Sequence, residues 1–331
     1  MTQYEKKERN LNEPCTLIKN EKAHETPDIR SRLFSSLLEG ARSHLLSRGF
    51  VEAPTPLLTK GAGSCEHPST LFRVEGIFKG SGDGTQDENE MYLCQTGQLY
   101  LETLLSTHDR VYTLSQSFRK EPQEDQRHLL QFNLLEIEFR GDYEHLLTEC
   151  ETLIYTMVSN ACARTRISNP LDRPFARISY PDARTKLGLS DRSLEKNLSH
   201  EQELELVRSA GGPVFLTHFP PEMKYFNMKQ QGERTSSADL LLPYSGEALG
   251  GGERETDPKT VTQRLQGSEM FLALQEQGGR INDFQWYLDS LNPSRPHSGC
   301  GIGIERVMQY LLKTPDIRTV CPFTTTPLRI W

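Results

Sequence analysis

The chain has 331 residues, 35% of them hydrophobic and 25% charged, which is typical of a soluble globular protein. Its formal net charge is −7, whereas a protein that grips a nucleic-acid backbone usually carries a basic surplus. No run of about 18 apolar residues predicts a membrane span, and residues 1–10 lack the apolar core of a signal peptide. The seven cysteines are scattered without zinc-type spacing, which favours reduced thiols and a cytoplasmic protein.

The hydrophobic pattern divides the chain into a polar lead-in and one folded region. Residues 1–28 are polar and mixed in charge, so we expect an N-terminal extension there. Leucines at helical spacing predict a helix over 30–48, and the two prolines of 51–58 predict an edge strand or interface segment. We also predict helices over 99–105 and 143–163, strands over 111–118, 134–139, 211–228, 238–251 and 284–288, and a final strand and helix over 302–312. Because strands and helices do not alternate strictly, we expect an α+β domain over 29–331, with a mostly antiparallel sheet flanked by helices.

Glycines alternate at positions 299, 301 and 303, immediately before Glu305 and Arg306. This alternation leaves one face of a strand without side chains, where a flat group can lie against the backbone. An arginine beside a planar slot suits a nucleoside triphosphate, because its guanidinium matches phosphate oxygens and keeps its charge. A glycine-rich strand end that only allows close packing is the alternative, and this segment alone does not decide between them.

A second segment, FRKE followed by a polar loop and RHLLQF, contains another arginine near an aromatic residue. Two antiparallel strands joined by this loop would place Arg119 near Phe132, so that one holds a phosphate and the other stacks on a purine. Glu121 can accept a hydrogen bond from an exocyclic amine, and His128 can donate to a terminal phosphate. A salt-bridge network on the surface is the alternative interpretation.

Taken together, these segments resemble motifs 2 and 3 of the class II aminoacyl-tRNA synthetases. The predicted helix with Gly49, Phe50 and the prolines at 54 and 56 resembles motif 1, the dimer-interface element of that family. Within the class the resemblance is closest to asparaginyl-tRNA synthetases and, behind them, aspartyl-tRNA synthetases. The supporting stretches are Cys65–Phe72, Gln95–Glu102, Gly246–Arg254 and Trp286–Asp289. The resemblance runs from about residue 29 to the end and implies a class II catalytic fold and a homodimer.

The resemblance implies an ATP site with a role for each matching residue. Arg119 corresponds to the arginine that contacts the α-phosphate, where negative charge builds during attack by a carboxylate. Phe132 and Arg306 would enclose adenine between them, and Arg306 would also reach the γ-phosphate. Glu121 would bind the adenine amine, and His128 would assist at the terminal phosphates. Arg119 and Arg306 are therefore the catalytic candidates.

The resemblance also implies Mg²⁺ as a cofactor, with ATP as the substrate it accompanies. Glu247 corresponds to a metal-binding carboxylate, and Asp239 is the candidate for a second. Oxygen ligands combined with substrate phosphates suit Mg²⁺. A solvated carboxylate at a strand end is the alternative interpretation of Asp239.

In the amino-acid pocket, Glu66 and Gln98 resemble the groups that bind the α-amino end of the substrate, and Arg254 the group that holds its side-chain oxygen. Aspartyl enzymes carry a lysine where this chain has Leu101, and Glu102 follows as in asparaginyl enzymes. A carboxylate at Glu102 would repel a substrate carboxylate but accept from an amide, so asparagine is favoured over aspartate. A salt-bridged helix residue is the alternative for Glu102.

Departures from the family concern the recognition of tRNA. Only 28 residues precede the motif 1 helix, too few for the β-barrel that binds the anticodon in asparaginyl and aspartyl enzymes. The loop Pro122–Gln126 contains Glu124 and Asp125 where the family is often basic, and acids repel a phosphate backbone. The terminal Ile-Arg-Asp…Pro-Arg pattern becomes Ile-Arg-Thr…Thr-Thr, and His67 with Pro68 replaces residues that are usually glycine.

We therefore expect an ATP-dependent ligase that converts asparagine, or aspartate, to an aminoacyl adenylate. The activated group would pass to an unknown amine or hydroxyl acceptor, with tRNA possible but disfavoured. Three alternatives stay open: an asparagine synthetase-like enzyme that uses aspartate and ammonia, a tRNA ligase that recognises only the acceptor end, and a silent regulatory paralogue. The presence of Arg119, Glu121, Phe132, Glu247 and Arg306 argues against the silent paralogue.

Overall fold

A computed structural model describes residues 29–60, 68–74, 91–189 and 197–330. Its main sheet has eight strands, in the spatial order β1, β5, β6, β13, β12, β11, β8 and β7. These are Val51–Glu52 (β1), Arg110–Phe118 (β5), Gln131–Phe139 (β6), Ala176–Ser179 (β7), Val214–Thr217 (β8), Ser237–Leu242 (β11), Gly246–Glu253 (β12) and Ser298–Gly303 (β13). Short strands form two smaller sheets, Leu58–Thr59 (β2), Arg73–Val74 (β3) and Met91–Leu93 (β4), and Gln230–Gln231 (β9) with Arg234–Thr235 (β10).

The helices of the described residues are Ile29–Ser47 (α1), Gln98–Leu104 (α2), Tyr143–Thr165 (α3), Tyr180–Lys186 (α4), His200–Ala210 (α5), Pro258–Gly267 (α6), Glu269–Glu276 (α7), Gln285–Leu288 (α8) and Ile304–Leu312 (α9). Short 3-10 turns lie at Pro68–Thr70, Pro221–Met223, Ile281–Phe284 and Ile317–Thr319. Among the described strands, only the edge strands pair in parallel, β1 with β5 and β7 with β8. The predicted α+β fold with a mostly antiparallel sheet is confirmed.

The main sheet has one apolar face and one polar face. Alternate residues of its central strands, such as Ile137 and Ile302, join α1, α3 and α9 in the largest buried apolar cluster. The residues between them point to the opposite face, as expected for a strand of period two. A second apolar cluster joins α2, α6, α7 and α8 beside the polar face. The first cluster lies on the opposite side of the sheet from the polar face, and the second lies beside the polar face.

Several of the predicted elements differ from the observed ones. Residues 284–288 were predicted as a strand and instead continue a 3-10 turn into α8. This prediction was wrong because Phe284 and Tyr287 are three residues apart and both enter the second apolar cluster from a helical turn. Over 211–228, only β8 is a strand of the main sheet, since Pro220 and Pro221 lack the N–H that a ladder needs. The predicted strand region 238–251 forms the hairpin of β11 and β12.

Other expectations concern the ends and the edge of the domain. The predicted N-terminal extension, residues 1–28, lies outside the described residues. The segment after α1 contributes β1 at the sheet edge, as its prolines predicted. Within the described ranges, no helix has both the length and the apolar character needed to cross a membrane.

Two glycines of β13 offer a matched pair of substitutions. A methyl group at Gly299 would overlap the Glu138 carboxylate and the Ile137 carbonyl oxygen, whereas at Gly301 the nearest atom is Leu134 Cδ1 at 3.5 Å. We expect Gly299→Ala to lower the free energy of unfolding by about 1 to 3 kcal/mol, the usual cost of overpacking. Gly301→Ala is expected to change it by much less, and urea denaturation measures both. Equal free energies of unfolding for the two variants would contradict the difference in packing between Gly299 and Gly301.

Candidate active site

A row of five paired residues crosses the polar face of the sheet and forms the floor of a cavity of about 730 Å³. In spatial order these are Glu136, Gly301, Gly250, Asp239 and Leu216. Two adjacent positions of the row are glycines, so this part of the floor is bare backbone with a carboxylate on either side. A cavity of this size is within the range of small-molecule sites. The predicted bare strand face is therefore present at Gly301, while Gly299 makes room for Glu138.

The loop between β5 and β6, residues 119–130, is called the motif 2 loop below. Arg119 lies at its start, and the guanidinium carbon is 5.2 Å from the centre of the Phe132 ring. This confirms the prediction that the hairpin brings the two residues together, since Ser117 and Phe132 are direct cross-strand partners. Both residues line the cavity, as does Glu121. Their cation–π contact presents a positive group and an aromatic face to the same space.

Arg306 enters the cavity from the first turn of α9, directly after the Gly303 N-cap. It donates to the backbone oxygen of Ser245, before β12, and to that of Arg127 at 2.7 Å. Burial, together with the nearby charge of Arg127, lowers the pKa of Arg306 to about 10. The guanidinium therefore stays cationic at neutral pH and holds the motif 2 loop next to the β11–β12 turn.

His128 lines the cavity but is tied to its own loop. Its Nδ1 lies 2.6 Å from Asp125 Oδ2, and Asp125 Oδ1 accepts from the backbone N–H groups of residues 127 and 128. Glu124, the other acid of the loop, accepts from Arg318 at 2.8 Å. The two acids that were expected to repel a phosphate backbone are thus engaged by cationic or polar groups of the chain itself.

The two predicted metal ligands lie together at one side of the floor. A side chain built on Gly250 would be 3.1 Å from Glu247 Oε1 and 3.3 Å from Asp239 Oδ1, so both carboxylates converge on that glycine. Asp239 is in contact with Lys224, whose Nζ lies 2.7 and 2.6 Å from the two oxygens. Burial and the neighbouring Asp239 raise the pKa of Glu247 to about 7. Their role as metal ligands stays a prediction.

Glu102 is buried beside one end of the cavity and accepts hydrogen bonds from four side chains. Gln98 and Asn227 donate to Oε1 at 3.0 and 2.5 Å, and Tyr287 and His297 lie 3.1 and 3.2 Å from Oε2. Burial opposes ionisation, yet the His297 hydrogen bond and the charge of Arg254 lower the pKa of Glu102. Because a carboxylate accepts about four hydrogen bonds, Glu102 is saturated by the protein. Of this group, Gln98 lines the cavity.

Arg254, also predicted to bind the substrate, is 2% exposed and faces another carboxylate. Its Nε lies 3.1 Å from Glu138 Oε1, and a second nitrogen contacts the same oxygen. Like Glu102, Arg254 lies beside the cavity and does not line it. Glu66 lies outside the described residues. Direct contact of these residues with a substrate therefore stays a prediction.

Sequence reasoning missed several polar residues of the cavity, chiefly Glu136, Lys224, Glu203 and Glu305. Glu136 accepts from the Gly97 N–H at 2.8 Å and from Thr96, and burial raises its pKa to about 6. A signal for it was available, since acids at 136 and 138 interrupt an otherwise apolar strand, where an uncompensated charge would be costly. Lys224 lies after a 3-10 turn, and no local pattern distinguishes it.

Comparison with known proteins agrees with this geometry. Residues 6–327 match the family model described as tRNA synthetases class II (D, K and N). The chain is 31% identical over 325 residues to the asparagine–tRNA ligase of Chloroflexus aurantiacus, covering 91% of this chain and 69% of the relative. It is 31% identical over 316 residues to that of Thermococcus kodakarensis, with 89% and 68% covered. The asparaginyl-tRNA synthetase of Pyrococcus horikoshii, solved with asparaginyl-adenylate, superposes with a TM-score of 0.78 at 29% identity, over 92% of this chain and 69% of that one.

The sheet, its glycine floor and the two arginines above it therefore define a class II synthetase catalytic domain. The chain belongs to the class II tRNA synthetase family of the D, K and N type, and the two relatives described above are asparagine–tRNA ligases.

The contribution of the buried charges beside the cavity to the free energy of unfolding can be tested. Arg254→Met would leave Glu138 and Glu102 without their nearest guanidinium, so we expect the free energy of unfolding to fall by about 3 to 5 kcal/mol. The matched control is Arg177→Met, which removes an exposed ion pair with Glu144 at 2.7 Å and should cost about 0 to 1 kcal/mol. Urea denaturation of both proteins measures the difference. Similar losses in the two variants would show that the buried arginine is not required for stability.

Proposed function

We propose that this chain activates asparagine with ATP, forming asparaginyl adenylate and pyrophosphate. The observation that carries the proposal is the bare floor at Gly250 and Gly301, which lies between the Arg119–Phe132 pair and Arg306. A flat base can stack on the aromatic ring while two fixed cations face the phosphates. The names of the relatives, and the adenylate bound in one similar structure, support the same reaction.

In this reaction the α-carboxylate oxygen of asparagine attacks the α-phosphorus of ATP. A phosphorus–oxygen bond forms to give a mixed anhydride, and the bond to the bridging oxygen breaks, so that pyrophosphate leaves with the electron pair. Negative charge accumulates on the α-phosphate oxygens during attack, and Arg119 is placed to stabilise it. Arg306 is already fixed by two backbone oxygens, so little reorganisation is needed to present its charge.

Glu247 and Asp239 would hold Mg²⁺ on the phosphates. Their donor set fits, because Mg²⁺ usually takes one or two protein carboxylates and completes its shell with phosphate oxygens and water. When bound, the metal would neutralise phosphate charge. Lys224, at 2.6 Å from Asp239, would share that carboxylate with it. Metal binding is favoured above the raised pKa of Glu247, where its carboxylate is charged.

Asparagine is proposed over aspartate because this chain has no cation where aspartyl enzymes carry their lysine. Leu101 occupies that position and is buried with Leu105 and Val111, away from the cavity. Glu102 and Glu138 lie beside the cavity, and Gln98, which is held by Glu102, lines it. A neutral carboxamide suits these surroundings better than a second negative charge.

We further propose a small amine or hydroxyl as the acceptor of the activated group. The segment Pro122–Gln126 of the motif 2 loop supports this, because it contains the acids Glu124 and Asp125 and no cation. Transfer to tRNA is the second candidate. It is favoured by the names of the relatives and by the pairing of Glu124 with Arg318 and of Asp125 with His128, which compensates both acids.

Amino-acid-dependent exchange between ATP and pyrophosphate tests the adenylation step. Exchange is expected with asparagine, and Arg119→Met should reduce its rate by about 100-fold, the usual loss when one group that stabilises transition-state charge is removed. Arg177→Met is the control, since its ion pair with Glu144 joins β7 to α3 at the far edge of the sheet. Exchange with aspartate alone would favour the synthetase-like alternative. The absence of exchange with every amino acid would refute adenylation. If exchange occurs, adding tRNA, ammonia or amines to the reaction identifies the acceptor.

We also propose a homodimer through the segment after α1. Among the described residues no strand pairs with the outer side of β1, and Val51 and Leu58 are 45% and 48% exposed. An uncovered edge with apolar side chains is a surface that another chain can cover. Light scattering should give twice the mass of one chain, and Val51→Lys should shift the protein towards the monomer. A monomeric wild-type protein would contradict the proposal.

A further inference from the structure

The chain after α9 turns back and contacts the motif 2 loop. This segment, residues 316–326, is called the C-terminal return. Its Ile317 N–H donates to the backbone oxygen of Gln126 at 2.9 Å, and its Thr325 oxygen accepts from Leu130 N–H at 2.9 Å. Thr325 also forms a bridge with Gln131, the first residue of β6. The return therefore follows the loop along its outer side, from the middle of the loop to its end.

One side-chain contact joins the two segments most specifically. Glu124 of the loop accepts from Arg318 NH1 through Oε1 at 2.8 Å and from Thr326 Oγ1 through Oε2 at 3.1 Å. Asp316 binds the other edge of the same guanidinium, at 2.9 and 2.8 Å from Nε and NH2. A planar guanidinium held on two edges has a fixed orientation. Both oxygens of Glu124 are thus directed by the return.

The inner side of the same loop belongs to the cavity. Arg127 and His128 line it, and the Arg127 backbone oxygen accepts from Arg306 at 2.7 Å. The loop is consequently held from two sides, by the first turn of α9 within the cavity and by the return outside it. Arg318 itself does not line the cavity, whereas its neighbour Ile317 does.

We propose that Arg318 is a positioning residue for ATP, acting through Glu124 to hold the motif 2 loop with Arg127 and His128 facing the cavity. The proposal rests on the adenylation function and names a residue that would not itself touch the substrate. Without Arg318, Glu124 and Asp316 would be two uncompensated carboxylates at the edge of a site for an anionic substrate. The loop would then be less ordered and more negative.

If the Arg318–Glu124 pair only stabilised the fold, its loss would lower the free energy of unfolding and leave the affinity for ATP unchanged. Side chains of Arg318 and Glu124 are 31% and 21% exposed, and ion pairs this open contribute little to global stability. The effect of losing the pair should therefore be local, in the affinity for ATP rather than in folding. Turnover at saturating ATP should change little, since a bound triphosphate would itself order the loop.

The experiment measures ATP–pyrophosphate exchange with asparagine for Arg318→Met, Glu124→Gln and the double variant. We expect each single variant to raise the KM for ATP by about fivefold with kcat within about twofold, the scale of a partly exposed charge pair. The double variant should be little worse than Arg318→Met alone, because both changes remove the same interaction. Arg177→Met, which breaks a comparable pair on the far side of the sheet, should leave KM unchanged.

An unchanged KM for ATP in Arg318→Met, or additive effects in the double variant, would overturn the proposal. A second measurement needs no catalytic activity and separates this proposal from the proposed function. Trypsin should cut after Arg127 faster in ligand-free Arg318→Met than in Arg177→Met, because the loop is released. If wild-type protein shows no exchange but this difference in cleavage is present, adenylation fails while the loop contact stands. Equal cleavage rates would overturn the positioning role.

Discussion

The site depends on the close pairing of Gly250 and Gly301 at the centre of the main sheet. Without side chains, these two positions let a ligand approach the backbone, while β12 and β13 stay paired without a register shift from Leu249 to Glu253. The positions that flank the two glycines are carboxylates, Glu136 and Asp239, so the bare part of the row has a charge on either side. The hairpin with Arg119 and the helix with Arg306 then supply cations from above. In the proposed reaction, the sheet would fix the spacing between base, phosphate and amino acid.

Beside this floor, on the same face of the sheet, lies a second polar layer whose charged members do not line the cavity. Arg254 is shared between Glu138 and Glu102, and Glu102 also accepts hydrogen bonds from α2, from α8 and from His297 just before β13. Such a cluster stabilises little by itself, because desolvation offsets most of the attraction. The cluster instead fixes the orientation of its side chains, because each charged group has one arrangement in which all its hydrogen-bond partners are satisfied. Gln98 is held in place by this layer and faces the cavity.

The sequence was enough to predict the α+β class, the bare face of β13 and the meeting of Arg119 with Phe132, because each follows from strand periodicity or from a hairpin. The sequence was not enough to predict the polar layer, because Asn227, Tyr287 and His297 come within hydrogen-bond distance of Glu102 only through tertiary packing. Residues 284–288 were misread for a related reason. Their apolar positions fit either a strand or a helical turn, and only the packing against α2 and α6 decides between them.

The two hydrogen bonds that Arg306 makes to backbone oxygens have a thermodynamic consequence. The guanidinium has five N–H donors in a rigid plane, and two of its nitrogens are already committed to Ser245 and Arg127. An anion that binds through the remaining N–H groups leaves the contact between the loop and the β11–β12 turn intact. The attached loop in turn keeps the guanidinium in place for that anion. Ligand binding and loop attachment are therefore linked equilibria, and each one strengthens the other.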